Sequence, residues 1–119
     1  MNKFGGKRLG GFHGNLSVLY DGRVIGQVAV TKRTRRKILG RFIPGPDFDV
    51  CRAEFEEAVR WFSQWEGTGL IPEMDYVAWN RWIEVIGRIT THIQLPDVAQ
   101  RIEEFAVDNT LGVEITLYD

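Results

Sequence analysis

The sequence predicts a small α+β domain, an antiparallel sheet of about four strands packed on one side by helices, in the chain order βββαααβ. Three observations carry that expectation. The dipeptide Asp21-Gly22 separates two β-branched or aromatic segments. Apolar residues recur at helical spacing from Cys51 to Trp65 and again from Ala78 to Ile93. Residues 113–118 alternate apolar and polar.

Asn15-Leu-Ser-Val-Leu-Tyr20 and Arg23-Val-Ile-Gly-Gln-Val-Ala-Val30 form the first hairpin. A type I′ turn needs positive φ at both central residues, which Asp-Gly accepts, and a two-residue loop sets Tyr20 opposite Arg23, Leu19 opposite Val24 and Val18 opposite Ile25. Lys37-Ile-Leu-Gly-Arg-Phe-Ile43 is the third strand, the chain turning back near 33–36. Pro44-Gly45-Pro46 ends it, because neither proline can donate to a ladder. Asp47 or Asp49 is placed to cap a helix that runs to about Glu66, on which Cys51, Phe55, Ala58, Phe62 and Trp65 share one stripe. Gly67-Thr68-Gly69 supplies its terminator.

A second helix begins near Pro72 or Asp75, buries Ala78, Trp79, Trp82, Ile86, Ile89 and Ile93, and breaks at Leu95-Pro96. Pro96 then serves as the first residue of a short third helix carrying Val98, Ile102 and Phe105. Residues 109–112 carry turn chemistry, and the closing strand joins the first sheet.

At 119 residues the chain fits one domain able to bury roughly two-thirds of the surface its unfolded form exposes. Residues 1–14, glycine-spotted and basic, are expected to be a flexible segment, with 15–119 as the single folded domain. Cys51 is the only cysteine, so no intrachain disulfide can form and a reducing compartment is the natural setting. With no apolar stretch of signal-peptide or membrane-span length, the expectation is a full-length cytoplasmic chain without a membrane partner.

A formal net charge of −1 hides a strong asymmetry. Residues 1–45 hold ten Lys or Arg and one carboxylate, a net +9; the remainder holds fifteen carboxylates and five arginines, a net −10. Such sectoring speaks to association rather than to fold. Its densest part is Lys32, Arg33, Arg35, Arg36 and Lys37, with no acidic residue inside the run or within five positions of it. Any counterion must come from elsewhere in the fold, another chain or a ligand. Elsewhere, Glu56 and Arg60, Glu84 and Arg88, and Asp97 and Arg101 stand four apart in the order that favours ion pairs on a helix, so those arginines need no outside partner.

Phosphate binding by the run would use its arginine forks and release counterions. Against it stand a pI of about 6.1 and the lack of a helix–turn–helix pattern, zinc knuckle or RNP aromatics. The plain alternative is an edge or hairpin tip charged to keep strands from pairing, or docked on the chain's own acidic half. Trp61 lies on the flank of the first helix stripe, where an exposed indole would anchor an interface.

The glycines around Lys7 and Arg8 lack a P-loop ending. His13, His92 and Cys51 are scattered and do not make a zinc set, Cys51 falls on an apolar stripe, and neither Ser17 nor Ser63 has a histidine at a spacing that suggests a triad. No catalytic residue, metal site or cofactor is therefore assigned. The expected function is a small non-enzymatic protein-interaction module, self-associating in one version, that uses the basic hairpin and the acidic helical half. The alternative is non-sequence-specific nucleic-acid or polyanion binding through 32–37; a third is an acidic helical face acting as a nucleic-acid mimic.

Overall fold

The computed structural model describes residues 14–66 and 76–119. The expected flexible amino-terminal segment, but for Gly14, lies outside the described residues, as do the Gly67-Thr68-Gly69 terminator and the expected helix start near Pro72 or Asp75. The described chain runs β1 (Asn15–Tyr20), β2 (Arg23–Arg33), β3 (Lys37–Pro44), a 3-10 turn (Pro46–Val50), α1 (Arg52–Glu66), α2 (Tyr76–His92), β4 (Ile93–Gln94), β5 (Ile102–Val107) and β6 (Gly112–Leu117). The strands form one antiparallel sheet in the order β4-β1-β2-β3-β6-β5. The α+β class holds, with six strands rather than about four and a helix fewer than expected among the described residues.

The first hairpin follows from its turn. Asp21 and Gly22 have φ of 50° and 83°, and Tyr20 faces Arg23 while Leu19 faces Val24. A bulge beyond that point sets Val18 opposite Gly26 instead of Ile25, so that Val18 and Ile25 both reach the core fully buried. A second bulge, at Thr31, shifts the β2–β3 register near the basic run, and the Thr31 hydroxyl donates to the Leu39 carbonyl at 3.2 Å.

Two expectations fail at the carboxyl-terminal end. The third helix does not form, because residues 102–107 pair with β6 through the 108–111 turn, burying Phe105 and Val107 on one face. Val98, Ile102 and Phe105 fit a helical stripe, but the 105/107 alternation fits a strand equally, and pairing with β6 decides between them. Helix α2 ends at His92, short of Leu95-Pro96, since Ile93 and Gln94 turn to pair with Tyr20 and Leu19. The cap expected from Asp47 or Asp49 is also absent: the Cys51 carbonyl starts the helix by accepting from Glu54 and Phe55, and Asp49 holds Arg52 at 2.7 Å.

The core lies between the sheet and the two helices. Phe42 on β3 meets Phe55 on α1 at 5.1 Å and Phe48 on the 3-10 turn at 5.3 Å, and Phe55 meets Phe105 on β5 at 6.2 Å between ring centroids. Each such buried ring contributes on the order of 1.5–3 kcal/mol of transfer energy. Helix α2 adds Val85, Ile86 and Ile89, with Val85 in the middle of the apolar face.

Both sheet edges are closed by side chains. On β5 the Phe105 N–H donates to the Thr90 hydroxyl at 3.0 Å, and the Trp82 indole N–H donates to the Val107 carbonyl at 2.9 Å. On β1 the short β4 covers Leu19 and Tyr20, and the Ser17 N–H donates to the Asp97 carboxylate at 3.1 Å. An edge whose backbone groups are already satisfied offers little to an incoming strand.

Thr90→Val keeps the shape of that lid and removes the acceptor. We expect a loss of about 1–3 kcal/mol in urea unfolding, the cost of an orphaned buried N–H, together with faster hydrogen exchange at the Phe105 amide. An unchanged midpoint and unchanged exchange would show that the hydroxyl does not hold the edge.

Candidate functional site

The basic run is split between three settings. Lys32 and Arg33 end β2, Thr34, Arg35 and Arg36 make the turn, and Lys37 opens β3; all are exposed. The turn is tied at its base, where the Thr34 N–H donates to the Lys37 carbonyl at 2.8 Å and the Lys37 N–H donates to the Thr34 hydroxyl at 3.2 Å.

Pairing of β3 with β6 then brings the missing counterions from the far end of the chain. Arg35 meets Asp119 at 2.9 Å, Arg36 meets Glu103 at 3.1 Å, and Lys37 pairs with Glu114. Arg36 is held further by its Nε–H, which donates to the Leu117 carbonyl at 3.1 Å, and by its own carbonyl, which accepts from the Leu117 N–H at 2.8 Å. The Gln100 amide donates to the Arg35 carbonyl at 2.8 Å. Lys32 and Arg33 have no ion-pair partner among the described residues. A shallow pocket of about 210 Å3 lies beside Lys32, lined by Thr34, Lys37, Leu39 and Glu114.

Every ion pair at the turn is largely solvent-exposed; the Arg35 side chain is 80% exposed and Asp119 55%. Exposed pairs of this kind contribute about 0–1 kcal/mol each and are screened by salt. They place the turn without fixing its cations rigidly, so the same groups can exchange partners.

Trp61 is half-buried on the flank of α1, packed against the core. Arg88 and Arg101 find partners other than those expected. Arg88 crosses from α2 to Glu57 on α1 at 2.8 Å, Arg81 meets Glu84 at 3.6 Å, and Arg101, on a segment that is not helical, lies 4.7 Å from the centre of the Tyr118 ring. The Asp97 carboxylate is taken by Ser17. For Arg88 and Asp97, contacts across elements displaced the pairs that spacing along a helix suggested.

A second titratable cluster, invisible in the sequence, joins the β1–β2 turn to both helices. Tyr20 hydrogen-bonds the Glu54 carboxylate, and its ring stacks on His92 at 4.8 Å and 22°. His92 Nδ1 lies 2.8 Å from the Asp21 carboxylate, and the Asp21 N–H donates to the His92 carbonyl at 2.8 Å. Burial first, and then the bond to Glu54, hold the Tyr20 hydroxyl above its ordinary range. The Tyr20 hydroxyl is committed to Glu54, and the Asp21 carboxylate to His92. The cluster is a latch between elements. No three His, Cys, Asp or Glu side chains among the described residues converge as a metal set.

Cys51 is buried with its thiol 3.6 Å from the Phe48 carbonyl, and burial followed by the Glu54 charge pushes the thiol up to about 11. Its sign is fixed: a folded value raised above the ordinary 9.0 favours the native state below pH 9 and loses that contribution as the pH climbs toward 11. We expect a thiol reagent at pH 8 to leave the native protein unmodified and to react fully once it unfolds. Stability should fall between pH 9 and 11 with a component that Cys51→Val lacks; rapid labelling of the native thiol at pH 8 would contradict this.

Among the described residues, no helix is long and apolar enough to cross a membrane. Comparison of the chain with protein-family models, with curated proteins and with solved structures finds no match in any of the three.

Proposed function

We propose that this chain is a small non-enzymatic protein-interaction module whose contact surface includes the basic β2–β3 turn. One observation carries the reading. Glu103, Glu114 and Asp119 stand among the five cations of the turn, and beside them Lys32 and Arg33 have no ion-pair partner among the described residues. A surface of interleaved sign matches another protein surface of interleaved sign, which can steer the encounter and exchange partners on docking.

A polyanion meets the same surface less well. A phosphate backbone following the turn would approach three carboxylates as closely as it approaches their cations. If only Lys32 and Arg33 engaged it, the salt dependence would have a slope of about two, far below that of a protein making six to ten phosphate contacts. Repulsion between like charges would oppose the remainder.

The test pairs two measurements, with the chain itself as the first candidate partner. Size-exclusion chromatography with light scattering is run at low and high salt, with and without a short fluorescent oligonucleotide. We expect concentration-dependent association that weakens as salt rises and is reduced several-fold in Lys32→Ser/Arg33→Ser, with no oligonucleotide in the protein peak. A monomer that carries the oligonucleotide at low salt and releases it at high salt would replace this reading with polyanion binding.

A further inference from the structure

Helices cover one face of the sheet and side chains close both edges, and the opposite face carries Lys32, Lys37, Arg41, Ile43 and Glu114 exposed. That face is segregated by strand. On β2 and β3 it carries Lys32, Lys37 and Arg41; on β6 and β5 it carries Glu114 and Glu104. The registers Lys32–Leu39–Glu114 and Lys37–Thr116–Glu104 set these residues in two adjacent rows across the sheet. In the next row Ala29, Arg41 and Gly112 are partners, and the Asp108 carboxylate stands where a Cβ on Gly112 would lie, adding a third acid to the β6–β5 side. Three cations on one half thus face three carboxylates on the other.

The seam between the halves is apolar or small. Leu39 separates Lys32 from Glu114, Ala29 stands opposite Arg41 in the next row, and Ala106, beyond Glu114, is already buried. Ile43, 46% exposed, and Val24, 52% exposed opposite Leu19, extend the apolar surface toward the far end of the sheet. Residues of this kind are what a docked surface would dehydrate.

We propose that this face is a homodimer interface, in which two copies meet open face to open face about a two-fold axis running along the strands between β3 and β6. The proposal rests on the interaction-module reading and names its partner as a second copy of the chain. Rotation about that axis lays the basic half of each copy over the acidic half of the other, and does so twice, as an isologous contact requires. A two-fold axis across the strands would instead set cation on cation and carboxylate on carboxylate. The intrachain Lys37–Glu114 pair is no obstacle, since it becomes part of a shared cluster with Lys32 and Glu104 of the facing copy.

Strand spacing and rise give the face a flat footprint of roughly 500 Å2 per copy. Corrugated by side chains, this reaches the low end of specific interfaces, which bury about 800 Å2 per partner. The dimer is accordingly weak and sensitive to salt.

The decisive experiment is charge reversal with mixing, read by light scattering and analytical ultracentrifugation on the full chain. Lys32→Glu/Lys37→Glu makes the face acidic, and Glu104→Lys/Glu114→Lys makes it basic. We expect the wild type to be a dimer at low salt. Each variant alone should dimerise at least about tenfold more weakly, with a wild-type circular-dichroism spectrum, and an equimolar mixture should restore a one-to-one dimer. A wild-type dimer that both variants keep, or that mixing fails to restore, would overturn the open-face interface while the loss of association in Lys32→Ser/Arg33→Ser still supported the interaction module. A wild-type monomer at about 1 mM, a concentration that would reveal even millimolar affinity, would overturn the homodimer; oligonucleotide capture by that monomer would overturn the module as well.

Discussion

Everything distinctive about this molecule depends on the antiparallel pairing of β3 with β6. Five cross-strand pairs, from Lys37 with Thr116 to Arg41 with Gly112, join a meander made in the first third of the chain to a hairpin made at its end. The ladder is bracketed by the Phe42 N–H on the Leu111 carbonyl and the Leu117 N–H on the Arg36 carbonyl, each at 2.8 Å. Closing so long a loop costs entropy that local contacts cannot recover, so this pairing is expected late in folding. Ile38, Phe42, Val113 and Ile115, all buried along it, supply the offsetting burial.

The pairing also decides the electrostatics. The basic run has no acidic neighbour in sequence, yet three of its five cations have one in space because β6 runs beside β3 and β5 beside β6. The two basic strands, β2 and β3, therefore lie beside the two acidic ones, β6 and β5, in one sheet instead of at opposite poles. The asymmetry of the sequence becomes, on the folded surface, a boundary running down the middle of the sheet.

What was legible in the sequence was local. Asp21-Gly22 fixes its hairpin through the backbone conformations those two residues accept, and the stripes on α1 and α2 declare themselves within four turns. What was not legible depends on partners far along the chain. Residues 102–107 satisfy a helical and a strand pattern alike, and only β6 selects the strand. Arg88 has Glu84 at favourable spacing and takes Glu57 instead, because α1 and α2 pack side by side. The two bulges, at Val18/Leu19 and Val30/Lys32, carry no signature in composition, though they choose which side chains reach the core and on which face Lys32 falls. Of the candidate site, the exposure of all five cations followed from their position at a hairpin end, whereas the identity of their counterions did not.

Exposure and weak pairing together bear on why the cations are there. An exposed ion pair adds at most about 1 kcal/mol, so Arg35, Arg36 and Lys37 contribute little that the hydrophobic contacts of Ile38, Phe42 and Ile115 do not already provide. Nor is the run needed to blunt an edge, because β2 and β3 are interior strands of the sheet, and its real edges are closed by Thr90, Trp82 and Asp97. Five cations at the turn between two interior strands thus exceed what folding or protection against strand addition requires. Two of these cations, Lys32 and Lys37, fall on the exposed face of the sheet, where Glu114 and Glu104 stand on the neighbouring strands. Charge arranged in this way is costly to a monomer only in local repulsion within each half, a cost that contact with the complementary half of another surface removes.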